Sequence, residues 1–304
     1  MVKKRGKLNS EKVYSVFSYA FLISMALISF FPIVYAFGLS LVSYDEWHAR
    51  GATGYFLFPS RPVLDAYQKV FSSGSIIFNS FLVSSLRVIL GVSLTLTVSM
   101  VAGYVVSRRR LPGRRFLVTL LIFTVIFSGG LIPNYLITYS TGLLDTIWSL
   151  IIPSLVLPGL VDTFGALVFK QFFEGIPSEV EESAVMDGAG EFKIMMRISL
   201  PMSTGVIAAL GMFIAVNHWN AYFDALLFIQ TSTKMPLQLI LRQIFQNAMS
   251  LDTMSSMLAL MGKKYPLQAL QMATTMVGVL PILFIYPFVQ KYFTQGVYMG
   301  AVKG

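Results

Sequence analysis

Cysteine is absent from all 304 residues, which removes disulfide scaffolds, thiol nucleophiles and Cys-ligated zinc or iron–sulfur centres. Histidine occurs twice, at His48 and His218, so a His-Glu-x-x-His zinc site cannot be assembled. No Gly-x-x-x-x-Gly-Lys-Ser/Thr loop is present to cradle nucleotide phosphates, and no Gly-x-Ser-x-Gly elbow to expose a serine nucleophile. Charge is sparse, at 12% of residues, with 14 acids against 23 Lys and Arg. What fills the chain is apolar: 55% hydrophobic residues and a mean hydropathy of +0.70, too oily for a soluble globular domain. The net charge of +9 does not mark nucleic-acid binding, because most of the basic residues flank the apolar segments.

Uncharged stretches at 13–44, 116–144 and 265–290 each exceed the roughly 20 residues that a helix needs to cross a bilayer. The pattern predicts six spans, at 14–42, 76–106, 116–137, 147–169, 204–229 and 269–290. All should be helices, since backbone facing lipid must satisfy its own hydrogen bonds and the polar–apolar alternation of barrel strands is missing. The first apolar run is much longer than the 7–15 residues of a signal-peptide core, so it is expected to remain as an anchor.

Lys and Arg set the orientation. With both termini cytoplasmic, the inside carries the N-terminal Lys3, Lys4, Arg5, Lys7 and Lys12. It also carries Arg108, Arg109, Arg110, Arg114 and Arg115, the inner-loop Lys170, Lys193 and Arg197, and Lys291 and Lys303. The opposite side holds Arg50, Arg61, Lys69, Lys234, Arg242, Lys263 and Lys264, fewer than half as many. The arginine cluster at 108–115 reads as a topology mark and no more. The domain organisation is then a cytoplasmic tail (1–13), an anchor with its outer loop (14–75), a membrane core (76–292) with an inner loop at 174–201, and a cytoplasmic tail (293–304).

The inner loop holds the strongest functional signal. Pro177 precedes Ser178, and Glu181 stands at the spacing of a capping box, with acids suiting the positive end of a helix. Asp187-Gly188 signals a turn. A second helix should then place Phe192, Met195, Met196 and Ser199 on one face. Such a hairpin suits docking into a groove of a soluble partner.

Glu182-Ser183-Ala184, Asp187-Gly188-Ala189 and then Ile198, Leu200 and Pro201 resemble the EAA loop of ABC importer permeases, with Ser183 where that family usually has Ala. The ending Gln290-Lys291-Tyr292-Phe293-Thr294-Gln295-Gly296 and Gly300-Ala301-Val302-Lys303-Gly304 is similar to carbohydrate permeases of the maltose-permease type. Phe127-Ser128-Gly129-Gly130-Leu131-Ile132-Pro133 resembles the branch for complex or uronate-containing oligosaccharides, such as alginate or pectin fragments.

The resemblance implies an all-α membrane protein, a type I ABC importer permease with six transmembrane helices, in the bacterial cytoplasmic (inner) membrane. It implies a second homologous permease subunit, two cytoplasmic ABC ATPase subunits and an extracytoplasmic solute-binding protein as partners, with an oligosaccharide as substrate. The chain itself would then be non-catalytic and hold no cofactor or metal, ATP and Mg belonging to the ATPases. Glu182, Ser183, Ala184, Asp187, Gly188 and Ala189 would couple to them. The alternative is an ATP-independent secondary sugar transporter, which usually shows inverted repeats with broken helices at matching positions, a pattern not visible here.

Ionisable groups inside spans are costly and tend to face cavities or partners. Arg87, Asp162 and Asp224 qualify, with Arg87 and Asp162 either an ion pair with each other or Arg87 free to hold a sugar carboxylate. Asn217, His218, Trp219, Asn220, Tyr222 and Asp224 gather amides, aromatics and an acid, suited to sugar hydroxyls and C–H faces. An interfacial aromatic belt with a polar packing contact is the competing reading. Lys234, Arg242, Lys263 and Lys264 make the fifth loop basic, either to attract an anionic oligosaccharide or binding-protein face, or as a solvated loop. Met249, Met254, Met257 and Met261 read as packing rather than a metal site.

Overall fold

The computed structural model describes residues 3–50, 58–72, 74–127, 129–152, 162–248 and 265–301, with side chains excepted at 3–11, 50 and 288–301. Regular structure among these residues is helical. In chain order the helices are α1 (Lys3–Ser40), α2 (Tyr44–Arg50), α3 (Asp65–Val70), α4 (Ile76–Ser107), α5 (Arg114–Ile126), α6 (Leu131–Ser140) and α7 (Thr163–Glu174). They continue with α8 (Ser178–Met186), α9 (Glu191–Ile194), α10 (Leu200–Met202), α11 (Thr204–Asn220), α12 (Phe223–Phe228), α13 (Leu237–Ala248) and α14 (Leu267–Ala301). Residues Met1–Ser75 with Ile244–Val277 form one compact unit, and Ile76–Gln243 with Gly278–Gly304 another.

In the first unit α1 leaves its large apolar side chains from Val13 to Phe31 exposed, as suits a lipid-facing anchor. Its end is tied down: Leu39 and Val42 pack with Tyr35, Trp47 and Met272, and Ser40 Oγ lies 2.8 Å from Tyr67 Oη.

The second unit is organised on α4, which packs along α7 and α11. Small residues allow the close approach, as is usual between membrane helices. A Cβ at Gly103 would stand 2.6 Å from Ala166 O and from Phe169 Cβ, and one at Gly91 would stand 2.5 Å from His218 Nε2. Met100, Tyr104, Phe169, Phe173, Met195 and Leu210 form one core; Leu150, Ala225, Ile229 and Leu239 form another.

Among the described residues, three helical segments are long and apolar enough to cross a bilayer unbroken: Lys12–Ser40, Ile76–Ser107 and Leu267–Pro287. They coincide with the first, second and sixth predicted spans. The third is not continuous, because α5 and α6 meet at 111° where Gly130 adopts φ +87° ahead of Pro133. The fourth runs through 153–161, outside the described residues. The fifth is α11, entered at 79° from α9 and α10 and interrupted at Ala221-Tyr222 before α12.

Candidate functional site

Helix α8 begins at Ser178 itself, with extended Pro177 as its cap and no side-chain bond to the free N–H groups, so the predicted capping box does not form. Glu181 is drawn instead to Arg108, with which it forms an ion pair. The end of α8 is built as the spacing predicts. Gly188 takes φ +75° and donates to Val185 O at 3.0 Å, while Ala189 N donates to Ala184 O at 2.9 Å, the two bonds of a Schellman stop.

Ser183 Oγ turns back on its own helix, 3.0 Å from Val180 O, so the hydroxyl adds no unmet polar demand where the EAA pattern has Ala. Glu182, Ser183, Asp187 and Gly188 are exposed, with Ala184 and Ala189 half-buried. Val185 and Met186 project beside them at 57% and 87% exposure, too much apolar surface for a helix with no further partner.

The return limb differs from its expected pattern. Met195 and Ser199 are buried whereas Phe192 and Met196 are exposed, so the predicted face is split. A π turn at Met195–Ser199 adds a residue to the winding there and rotates α10 relative to α9.

The arginine cluster is more than a topology mark. Arg109, Arg110 and Arg115 are exposed, but Arg108 and Arg114 turn inward. Arg108 pairs with Glu181, brings Nε within 3.3 Å of Glu191 Oε2, and lies 4.0 Å over the Tyr104 ring. Tyr104 Oη donates onward to Glu191. Arg114 pairs with Glu174, which Lys170 also contacts at 3.1 Å, and its Nε donates to Val106 O at 2.8 Å. Opposite charge on two loops assigned to one side of the membrane was the available signal for this network.

The Arg87–Asp162 pair, one of the two readings of these residues, is not made. Arg87 pairs with Asp224 and donates to Ala221 O at 3.1 Å and Leu150 O at 3.3 Å. Its side chain is 2% exposed. Asp224 also accepts from Ala225 N at 2.8 Å. Arg87 on Ala221 O and Asp224 on Ala225 N take the place of the helical bond those two groups would otherwise share, at a break containing neither proline nor glycine. Asp162 sits before the first residue of α7 with its carboxylate against Gly165, where any side chain would collide with Oδ2.

The polar segment before the break divides in two. His218 is buried against Gly91, and Trp219 donates to Gly278 O at 2.8 Å while meeting Phe81 edge-on. Asn217 and Asn220 are exposed and Tyr222 half-exposed, with the Arg242 guanidinium 4.6 Å over the Tyr222 ring. A cavity of about 200 Å³ lies nearby, lined by Val88, Met212, Val216, Trp219 and Ile282 among others. The Trp219 N–H is already engaged, and the lining Ser85 donates to Phe81 O, so this cavity offers a sugar hydroxyl little.

Asp145, which no sequence motif singles out, adopts φ +55°, unusual for a residue with a side chain. Its carboxylate accepts from Gln230 N, Thr231 N, Thr231 Oγ1 and Lys234 Nζ, and hydrogen bonding, chiefly from Thr231, holds it far below the usual carboxylate range. Lys234 is therefore compensated at 2.9 Å. Lys263, Lys264 and the four methionines from Met249 to Met261 lie outside the described residues. Among the described residues no cluster of three or more acidic or histidine side chains is placed to hold a metal.

No family model matches the chain. It is 38% identical over 296 residues to the polygalacturonan/rhamnogalacturonan transport system permease protein YtcP of Bacillus subtilis, covering 97% of this chain and 99% of that protein. It is 28% identical to the arabinooligosaccharides transport system permease protein AraQ of the same organism, over 96% and 97% of the two chains. Among solved structures, a bacterial ABC transporter involved in import of the acidic polysaccharide alginate superposes with a TM-score of 0.79 at 27% identity, covering 93% of this chain and 98% of that one.

Proposed function

The chain belongs to the permease family of ABC sugar importers, and from that membership we propose the substrate, partners and working residues of this subunit. It is a non-catalytic, multi-pass membrane component of an ATP-driven oligosaccharide importer, not a secondary transporter. The substrate is an acidic, uronate-containing oligosaccharide; relatives named for polygalacturonan and alginate support this. The cell inner membrane, with both termini cytoplasmic, is the setting that the Lys and Arg distribution supports.

The observation that carries the coupling assignment is the exposed α8 hairpin. Its Schellman stop fixes the turn while Val185, Met186 and Phe192 stand uncovered beside Glu182, Ser183, Ala184, Asp187, Gly188 and Ala189. A pair of cytoplasmic ATPases supplies the groove, and ATP and Mg bind there. A second permease and an extracytoplasmic binding protein complete the importer.

For the translocation path, Asn217, Asn220 and Tyr222 are the exposed members and contact the sugar. Arg87, Asp162, His218, Trp219 and Asp224 shape the path from within the protein. Arg242, lying over Tyr222 and ion-paired with no acid among the described residues, is the cation for a uronate carboxylate.

The test is to purify the tagged chain from its native membrane in mild detergent and identify its companions by mass spectrometry. A second permease and an ATPase are expected. The chain alone, stable and monodisperse, would overturn the assignment.

A further inference from the structure

The proposed coupling hairpin can drive the membrane helices only through contacts stiff enough to carry its displacement. Its covalent exits are weak candidates: Gly175 and Pro177 precede α8, and the turn at Gly188 to Gly190 succeeds it. The side-chain route is much denser. Arg108 stands just beyond the end of α4 and reaches α8 through Glu181 and the start of α9 through Glu191, while its guanidinium covers Tyr104 of α4. Six residues on, Arg114 opens α5, bonds back to Val106 O of α4 and pairs with Glu174 at the end of α7.

The segment between them is short and turned, with Leu111 N donating to Arg108 O at 3.1 Å and Arg114 N to Leu111 O at 3.2 Å. One short loop therefore touches the inner ends of α4, α5 and α7 and both limbs of the hairpin. Bidentate-capable guanidinium groups suit this, because they fix orientation as well as distance. The side chains of Arg108 and Glu181 are each 22% exposed, which shields the pair from much of the screening that weakens surface ion pairs.

We propose that Arg108 is a positioning residue for transport, locking the coupling hairpin to the arginine loop so that α4, α5 and α7 follow the hairpin when the ATPases close. This rests on the reading of the hairpin as the ATPase contact, and goes beyond it by naming the intramolecular link. Glu181, which precedes the EAA pattern, is then the hairpin's anchor, and Glu191 with Tyr104 the second point of attachment. With Arg108 removed, the hairpin should still meet its ATPase but swing without its load.

This chain has no native cysteine, so introduced thiols are the only ones it carries, and spin labelling in the full importer in lipid nanodiscs, with partner subunits freed of reactive cysteines, is a direct test. Glu179→Cys and Arg110→Cys, both exposed, report the separation of hairpin and arginine loop. Glu179→Cys with Ile132→Cys reports hairpin movement against α6. Distances are read by pulsed electron paramagnetic resonance before and after trapping with ATP and vanadate.

The 179–110 distance should stay single and narrow in both states with Arg108 present. In Arg108→Gln it should broaden and shift on trapping by several ångströms, and the charge-reversed pair Arg108→Glu with Glu181→Arg should restore it. An Arg108→Gln distribution identical to that of the parent overturns the proposal while leaving the hairpin's role intact. A 179–132 distance indifferent to trapping in the parent overturns the hairpin reading itself. Co-purification of the ATPase with Arg108→Gln shows that lost transport is not lost assembly.

Discussion

Arg87 separates a structural role from a substrate role, and a double-mutant cycle decides between them. Arg87→Met keeps much of the side-chain volume but strips charged donors from Ala221 O and Leu150 O and leaves Asp224 without its cation. Breaking a buried ion pair from one side costs about 3–5 kcal/mol. Asp224 is 31% exposed and so keeps some solvent, which places the expected loss near the lower end, about 3 kcal/mol. Asp224→Asn leaves the guanidinium buried against a neutral amide and should cost a similar amount.

The two changes remove one shared contact, so the double variant should lose about 2 kcal/mol less than the sum of the singles, well outside the additivity of independent sites. The assay is reversible denaturant unfolding of the purified chain in mixed micelles, run beside uptake in reconstituted vesicles. Arg242→Gln is the contrast: its cation–π contact is worth about 0.5–1 kcal/mol, so stability should barely move while the KM for an acidic oligosaccharide rises. Additive single effects within about 0.5 kcal/mol, or an Arg87→Met variant of normal stability that selectively loses acidic substrate, would refute the assignment of Arg87 to the helix break.

Local geometry sets other outcomes. Gly103→Ala would drive a methyl group against Ala166 O, a backbone atom with no rotamer to escape by, and should cost about 1–3 kcal/mol of unfolding free energy. Gly188→Pro cannot adopt φ +75°, so it should distort the hairpin and lower uptake per ATP hydrolysed without loss of assembled complex; normally coupled uptake would count against the hairpin's role. Asp145 is depressed in the folded chain, so its contribution is present above its unfolded value near 4 and disappears as pH falls through the folded value. Hydrogen exchange at the Gln230 and Thr231 amides should therefore stay slow, relative to neighbouring loop amides, down to about pH 4 and lose that protection only below it.

Length and hydropathy made the three unbroken spans legible, because a run such as 13–44 has little other use than crossing a membrane. The turn of the α8 hairpin was legible too, since Gly188 at the end of an acid-started helix has few alternatives. Tertiary partners were not. Ser178 and Glu181 have capping-box spacing, yet a guanidinium 73 residues away outcompetes a local backbone N–H for Glu181. The break at Ala221-Tyr222 carries no proline or glycine and exists because Arg87 satisfies the carbonyl it frees.

Arg87 was legible as an expensive residue, but a choice between Asp162 and Asp224 depends on which helix lies alongside, and hydropathy carries no such information. Likewise, the polar and aromatic residues at 217–224 share a composition suited to sugars, but their burial sorts them. Asn217 and Asn220 remain available, whereas His218 and Trp219 are committed to packing. Lys234 reads as surplus positive charge in sequence and as half of a neutral pair in the fold.

The most direct test of the account is ATP-driven uptake by the complete importer in proteoliposomes, supplied with its binding protein and either a galacturonate oligosaccharide or a neutral oligosaccharide of equal length. Accumulation of the acidic sugar that requires ATP inside the compartment facing the α8 hairpin, and exceeds that of the neutral one, is the predicted result. Uptake that proceeds unchanged without ATP or without the ATPase would contradict it.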